Sequence, residues 1–278
     1  MPEGDSVHRL ADRLGAALIG QVLTEADLRV PQYATADLVG RTVEEVVARG
    51  KHLLIRMSGG VTLHTHLRMD GSWHVRRSAA AGGARQGRGG PTHQIRVVLA
   101  TKETRAIGYR LPVVELLRTG DENRAVGHLG PDLLGPDWDA DEAVRRLSAQ
   151  SDSELGPALL DQRNLAGIGN VFAAETCFVA GVSPWMKIGD VVNLRRVVDV
   201  AHRLLTDNRH TQRRITPGDP RRPYWVYDRG GLPCRRCGTP IRSAAQGRPP
   251  HQRTTYWCPT CQPRREPSGD PRRYGDPS

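Results

Sequence analysis

The chain has 278 residues, of which 40 are Lys or Arg and 30 are Asp or Glu, so its formal net charge at pH 7 is +10. This length allows two modest domains, and the positive charge favours a polyanionic partner, most simply nucleic acid. No apolar run approaches the ~20 residues that a membrane span needs, and the start lacks the pattern of a signal peptide, so we expect a soluble, cytoplasmic protein without a membrane partner.

The first residues carry candidate chemistry. Removal of Met1 would leave Pro2 with a free secondary amine, which can attack an aldehyde carbon and form a permanently cationic iminium. Apolar residues then recur at helical spacing, at Val7, Leu10, Ala11, Leu14, Ala17 and Leu18. The positive end of such a helix favours the unprotonated amine. Proline and acids are also common at helix starts without any catalytic role, so this stretch alone leaves both interpretations open.

Short β-rich runs follow the first helix. They lie at 42–48, 52–57, 61–67, 72–76, 93–100 and 110–117, with turn signals between them. Gly59-Gly60 predicts a tight hairpin. The glycine-rich, basic stretch 78–91 is expected to be a mobile loop. The first domain is therefore predicted to be a β-sandwich or flattened barrel with a leading helix.

Between Asp121 and Pro136 the composition turns to glycine, proline and acids, which predicts a domain linker. Helical patterns follow at 141–150, 153–160, 170–179 and 190–207. In the segment that joins the second and third of these helices, glycines allow close backbone approach, and Asn170 can cap the next helix. Such a turn can present N–H groups to a DNA phosphate, or it can be an ordinary packing corner.

The cysteines give the strongest local signal. Cys234-x-x-Cys237 and Cys258-x-x-Cys261 are separated by twenty residues. Two such pairs predict one structural zinc ion, held in tetrahedral geometry between two knuckles of a β-hairpin. Cys177 stands alone on an apolar helix face and is expected to be a core residue.

The predicted hairpin is basic. Arg242, Arg248 and Arg253 lie between the two cysteine pairs. The tail from Pro263 has the composition of a disordered segment and would add nonspecific attraction to DNA.

Four segments together resemble the Fpg/Nei family of base-excision DNA glycosylases. They are the start PEG, the strand entry RGKHLL, the segment LLDQRNLAGIGNVFAAE and the finger PCRRCGTPI…HQRTTYWCPTCQ. The resemblance spans nearly the whole chain, with the motifs in the family's order. It is closest to the endonuclease VIII branch, because PEG replaces the PELPE typical of the oxidised-purine branch.

The resemblance implies an α+β architecture. An N-terminal two-layered β-sandwich with a leading helix would precede a mostly helical helix–two-turn–helix domain that ends in a β-hairpin zinc finger. The expected regions are a catalytic domain at 1–122, a linker at 123–136, a DNA-binding domain at 137–228, a zinc finger at 229–262 and a disordered tail at 263–278.

The resemblance also implies a reaction. The family's N-terminal proline attacks C1′ of a damaged nucleotide, releases the base through a Schiff base, and then cuts the DNA by β,δ-elimination. Carried over by motif, Pro2 is the nucleophile and Glu3 is the proton donor to the sugar ring. Lys51 is a phosphate contact and proton donor.

The implied partner is damaged DNA, bound by a monomer. The target nucleotide must leave the base stack to reach the nucleophile. By motif, Asn170 and Arg253 grip the phosphates that flank the lesion, and Met69 fills the gap left in the duplex. Whether single-stranded DNA is also a substrate stays open.

Two positions depart from the family's pattern. Ala106-Ile107-Gly108 stands where the purine branch has an arginine and a phenylalanine that fill the gap, and Ser6 stands where a carboxylate is frequent. From the start PEG and from Ala106-Ile107, we expect oxidised pyrimidines and abasic sites to be preferred over 8-oxoguanine paired with cytosine.

Two other hypotheses compete with an active enzyme. One is a DNA-binding zinc-finger protein of the same fold that has lost glycosylase activity, and the other is a zinc-containing RNA-binding or ribosome-associated protein. The presence of Pro2, Glu3 and Lys51 together favours the enzyme.

Overall fold

The computed structural model describes residues 2–78, 90–211, 213–249 and 252–263. Most of the expected loop at 78–91, and the expected tail beyond Pro263, lie outside these residues. The first part of the chain forms α1 (Gly4–Leu18), β1 (Glu25–Leu28), β2 (Val43–Arg49), β3 (His52–Met57), β4 (Val61–His66), β5 (Ser72–Arg77), β6 (Ile95–Ala100), β7 (Thr104–Tyr109) and β8 (Val113–Arg118). The second part forms α2 (Asn123–Val126), α3 (Ala140–Ser148), α4 (Leu155–Leu160), α5 (Asn170–Ala180), α6 (Leu194–Asn208), β9 (Arg242–Gln246) and β10 (Arg253–Trp257).

The strands of the first part form two antiparallel sheets, in the orders β1-β6-β7-β5 and β2-β3-β4-β8. Apolar residues from both sheets and from the buried face of α1 meet in one core, which contains Leu14, Ile55 and Val97. Gly59 and Gly60 both have positive φ, at 79° and 68°, as a tight turn between β3 and β4 requires. The predicted α+β class, the sandwich and this hairpin are confirmed.

Two strands were not expected from the sequence. β1 pairs with β6 at the edge of one sheet, but its four residues are half polar and too short to show a clear alternation. β7 contains Gly108 and lies between the strands predicted at 93–100 and 110–117. As a result the strand expected from residue 110 begins only at Val113.

The helices of the second part pack around a separate core that includes Leu159, Phe172 and Leu205. A smaller apolar cluster, with Phe178, Val226 and Ile241, lies against the cysteine-bearing hairpin.

The stretch expected to be a linker does more than join the domains. It contains α2, and Asp132 and Leu133 are fully buried. No helix within the described ranges is long and apolar enough to cross a bilayer.

Candidate active site and nucleic-acid interface

The N-terminal segment docks against the helical domain through Glu3. Its fully buried carboxylate accepts backbone N–H groups at the start of α5. Oε2 lies 2.8 Å from Gly169 N and Oε1 lies 2.9 Å from Val171 N, with Phe172 N at 3.3 Å from Oε2. Because the first N–H groups of a helix have no partner within the helix, a carboxylate is favoured there. Glu3 thus caps a helix whose N-cap residue, Gly169, lies 166 residues later in the chain.

Two glycines make this docking possible. Gly4 N donates to Gly167 O at 2.8 Å, and a Cβ on Gly4 would lie 2.9 Å from Gly167 Cα. A Cβ on Gly169 would lie 2.5 Å from Cδ of Glu3. Both distances are below van der Waals contact. Gly4 of the PEG motif and Gly169 of the turn must therefore both be glycine for the two segments to approach this closely.

This arrangement corrects the expected capping. Gly169, and not Asn170, is the N-cap residue of α5. The Asn170 side chain instead donates from Nδ2 to Thr254 O of β10 at 2.9 Å. The N–H groups that we expected to face a DNA phosphate are largely taken by Glu3. The turn itself is shaped by Gln162, whose Nε2 donates to Ile168 O at 2.9 Å and whose Oε1 accepts from Gly167 N at 3.1 Å.

Lys51 lies in the turn between β2 and β3, next to Gly50, which has a φ of +59°. Gly50 N donates to the buried Asp132 Oδ2 at 2.6 Å, and this bond fixes the turn against the stretch that joins the two domains. Burial lowers the pKa of Lys51; the charge of Glu3 opposes this shift, while those of Arg214 and Arg253 add to it. A lysine in this state gives up its proton more readily than an exposed lysine.

A cleft of about 550 Å³ brings the predicted phosphate-binding residues together. Lys51 comes from the sandwich, Asn170 from the start of α5, and Arg253 from the cysteine-bearing hairpin. Gly169, whose backbone N–H donates to Glu3, lines the same cleft. Glu3 therefore lies directly behind the cleft lining. Pro2, partly exposed, precedes Glu3 directly. Three separate parts of the chain therefore place a basic or polar group in one cavity.

Arg248 and Arg163 also line this cleft, although neither was predicted to bind DNA phosphates next to Lys51. Arg163 is paired with Asp161, with Nη2 at 2.7 Å from Oδ2. Met69 lies in the turn after β4, outside the cleft lining, and is 64% exposed. It follows Arg68, which has a φ of +46°.

A hydrogen-bonded row of side chains supports the lysine turn. His64 Nδ1 lies 2.9 Å from Glu115 Oε2, and His64 Nε2 lies 2.8 Å from His52 Nδ1. The ring of His66 lies edge-on to that of His52, at 4.7 Å between centroids. Burial, helped by neighbouring positive groups, lowers the pKa of His52 to about 3 and that of His66 to about 4. Both rings are therefore neutral near pH 7.

Glu175 holds the stretch that leads into the hairpin. Its buried carboxylate accepts backbone N–H groups from Trp225, Val226 and Tyr227, each at 2.8 Å, and the hydroxyl of Thr216 also donates to it. Burial raises the pKa of Glu175, although these hydrogen bonds oppose the shift. The motif NVFAAE contains Glu175 and could have marked it as a functional residue. The sequence does not show, however, that its hydrogen-bond partners lie some 50 residues away.

The four cysteines of the two pairs come together. The sulfurs of Cys234, Cys237, Cys258 and Cys261 all lie within 4.8 Å of one another. Cys234 and Cys261 are 3.9 Å apart, and Cys237 and Cys258 are 3.4 Å apart. Four sulfurs at ~2.3 Å from one zinc have mutual distances of ~3.8 Å, so the cluster is positioned to bind one zinc ion. Cys177 is fully buried in the helical core, where burial raises its pKa to about 12.

Three family models match consecutive parts of the chain. Residues 1–112 match the formamidopyrimidine-DNA glycosylase N-terminal domain. Residues 129–207 match the formamidopyrimidine-DNA glycosylase H2TH domain. Residues 231–264 match the zinc finger found in FPG and IleRS. The three matches follow the order of the sandwich, the helices and the hairpin.

Curated relatives extend over most of the chain. The probable endonuclease 8 2 of Streptomyces coelicolor is 56% identical over 264 residues, which cover 94% of each chain. The DNA-(apurinic or apyrimidinic site) lyase Nei2 of Mycolicibacterium smegmatis is 48% identical, over 94% of this chain and 99% of the relative.

Solved structures show the same fold. A complex of Lactococcus lactis Fpg with abasic-site DNA superposes with a TM-score of 0.77, at 21% identity, over 94% of this chain and all of that one.

Proposed function

Because the chain belongs to the Fpg/Nei family of DNA glycosylases, we propose that Pro2, Glu3 and Lys51 carry out its chemistry at the cleft between the two domains. The protein is a base-excision-repair glycosylase with AP lyase activity. The observation that supports the residue assignment is the docking of Glu3 on α5: Glu3 is bonded to Gly169, which lines the cleft together with Lys51, Asn170 and Arg253, and Pro2 directly precedes Glu3.

The first step forms a covalent bond to the sugar. The free amine of Pro2 attacks C1′, and the bond to the damaged base breaks with its electron pair passing to the base, which leaves neutral after taking up the proton that the Pro2 nitrogen gives up. Glu3 donates the proton that opens the sugar ring. Loss of the ring oxygen from C1′ leaves an iminium between Pro2 and C1′.

The second step cuts the strand. The cationic iminium acidifies the C2′ proton, so that its removal expels the phosphate on the 3′ side. A further elimination expels the phosphate on the 5′ side. Lys51 contacts a phosphate and supplies a proton, a role that its lowered pKa favours.

The remaining site residues hold the DNA. Asn170 and Arg253 bind the phosphates on either side of the extruded nucleotide, since both line the cleft and the guanidinium fork fits phosphate oxygens. Met69 enters the duplex where the nucleotide has left, as its exposed position at a turn allows. One chain contains every group in this scheme, and on that basis we propose a monomer that acts on nucleoid DNA, duplex or single-stranded.

Borohydride reduction tests the assignment directly. It should trap the protein on abasic-site DNA, and peptide mass spectrometry should place the link on Pro2, with Met1 removed. A protein that retains Met1 behind an N-terminal tag should neither trap nor cut.

If the tagged protein still traps, a lysine performs the attack and Pro2 is not the nucleophile. If the untagged protein binds abasic DNA but neither traps nor cuts it, the chain is a DNA-binding protein that has lost the activity.

A further inference from the structure

Asp5 is a buried carboxylate that two arginines bind. Arg214 donates from Nε to Oδ2 at 2.9 Å and from Nη2 to Oδ1 at 2.8 Å. This two-bond geometry is stronger and more specific than a single contact. Arg9, one turn further along α1, reaches Oδ2 only at 3.3 Å.

Arg214 makes further contacts with the N-terminal region and the helical domain. Its Nη2 donates to Ser6 Oγ at 2.9 Å, and its Cζ lies 5.4 Å from the centre of the Phe172 ring in α5. Its side chain is only 11% exposed. The chain after α6 is thereby fastened to the segment that carries Pro2 and Glu3.

These contacts explain a departure seen in the sequence. Ser6 stands where the family often has a carboxylate. In this chain Asp5 supplies a buried carboxylate one position earlier, and the hydroxyl of Ser6 binds the same arginine. Asp5 and Ser6 together bind the guanidinium group of Arg214.

We infer that Arg214 is a positioning residue for the elimination chemistry: held by Asp5 and Ser6 and packed on Phe172, it locks the segment of Pro2 and Glu3 to the helical domain. This role rests on the proposed function, because it acts through the residues assigned there. The two-bond geometry with Asp5 fixes the position of the segment rather than merely attracting it.

The test compares, among full-length variants, the rate of single-turnover cleavage of an abasic-site duplex with the affinity for that duplex. Arg214→Met should slow cleavage about tenfold, because Pro2 and Glu3 lose their fixed position, while the dissociation constant stays near the wild-type value, since Arg214 is not among the residues that line the cleft. Arg214→Lys keeps the charge but loses the fork, so it should recover only part of the rate. Arg9→Met, which removes the weaker partner of Asp5, should keep the wild-type rate.

The possible results separate the two proposals. A wild-type protein that fails to trap on borohydride refutes the proposed function itself. If wild type traps but Arg214→Met cleaves at the wild-type rate, or loses DNA affinity and cleavage rate in parallel, Arg214 is only a structural contact and the inference is overturned. Should Arg214→Met fail to fold, the double variant Asp5→Asn/Arg214→Gln removes both buried charges together, which is better tolerated than leaving one unpaired, and the same slowing at unchanged affinity is required of it.

Discussion

At the scale of single residues, Glu3 combines a structural contact with a proposed chemical role. Its two oxygens accept three backbone N–H groups at the start of α5, so Pro2, the proposed nucleophile next to it, is held by the helical domain. The expected proton transfer to the sugar would therefore involve a carboxyl group that already accepts three hydrogen bonds, of the roughly four that its two oxygens can accept.

Glu3→Gln tests this double role. The amide group would turn a donor toward N–H groups that now meet oxygen, so we expect a loss of about 1–3 kcal/mol in the free energy of unfolding together with loss of base excision. Urea unfolding and a glycosylase assay measure the two effects. Glu44→Gln, at an exposed position on β2, should change neither. A Glu3→Gln protein with normal stability would mean that the docking seen here contributes little.

Arg253 is expected to bind one phosphate beside the extruded nucleotide. A charge-assisted hydrogen bond of this kind contributes about 1.5–3 kcal/mol, so Arg253→Ala should weaken binding of lesion DNA by about ten- to a hundredfold. The salt dependence of binding should become shallower by about one phosphate. Arg242, on β9, is the suitable control, whereas Arg248 lines the same cleft as Arg253. Equal losses for Arg253→Ala and Arg242→Ala would indicate diffuse attraction instead of a specific contact.

His52 and His66 predict acid sensitivity. Their pKa values in the folded protein are about 3 and about 4, below the ordinary value of 6.5. The unfolded chain therefore binds protons first, and these groups contribute stability that is full above pH 6.5 and is lost progressively as the pH falls toward 4 and 3. The urea midpoint should fall over this window. His52→Gln should flatten the fall, while His210→Gln, at an exposed position, should not; an unchanged slope for His52→Gln would contradict the assignment.

At the scale of elements, the hairpin of β9 and β10 depends on its metal. Only a small apolar cluster, in which Ile241 and Val226 pack with Phe178, lies against it. The four cysteines hold its two ends together. The stability of the hairpin therefore depends more on its four zinc ligands than on the apolar residues packed against it.

Cys258→Ser should abolish zinc binding and weaken DNA binding, because Arg253 would lose its rigid base, while the sandwich keeps its fold. Metal analysis, DNA titration and circular dichroism measure these three properties. Cys177→Ala removes a thiol from the helical core and should leave the zinc content unchanged. A metal-free protein that cuts DNA at the normal rate would contradict a structural role for the ion.

Local patterns predicted most elements, but not what joins them. The helices and the long strands follow from apolar periodicity, and the zinc ligands follow from cysteine spacing. β1 was missed because its four residues alternate polar and apolar over too short a run to indicate a strand, and β7 because a glycine interrupts its pattern. The capping of α5 by Glu3 and the pairing of Asp5 with Arg214 could not be predicted, since each joins residues more than 160 positions apart and leaves no periodic trace.

At the scale of the whole molecule, the sheet architecture bears on lesion choice. Ala106 and Ile107 are buried within β7, so they cannot support an orphaned base as the purine branch's loop does. We therefore expect oxidised pyrimidines and abasic sites to be processed faster than 8-oxoguanine paired with cytosine. Parallel single-turnover assays on matched duplexes measure the preference, and faster excision of 8-oxoguanine than of thymine glycol would overturn it.

The docking of Glu3 on α5 also sets an order of events during synthesis of the chain. The segment with Pro2 leaves the ribosome first, but its partner N–H groups are made 166 residues later. At ~5–20 residues per second, the N-terminus waits roughly 10–30 s before it can be enclosed. Removal of Met1, which the proposed chemistry requires, can therefore take place before this segment docks. If Pro2 is the nucleophile as proposed, it is released before the site that uses it exists, and a nascent chain cannot attack DNA until its second half has folded.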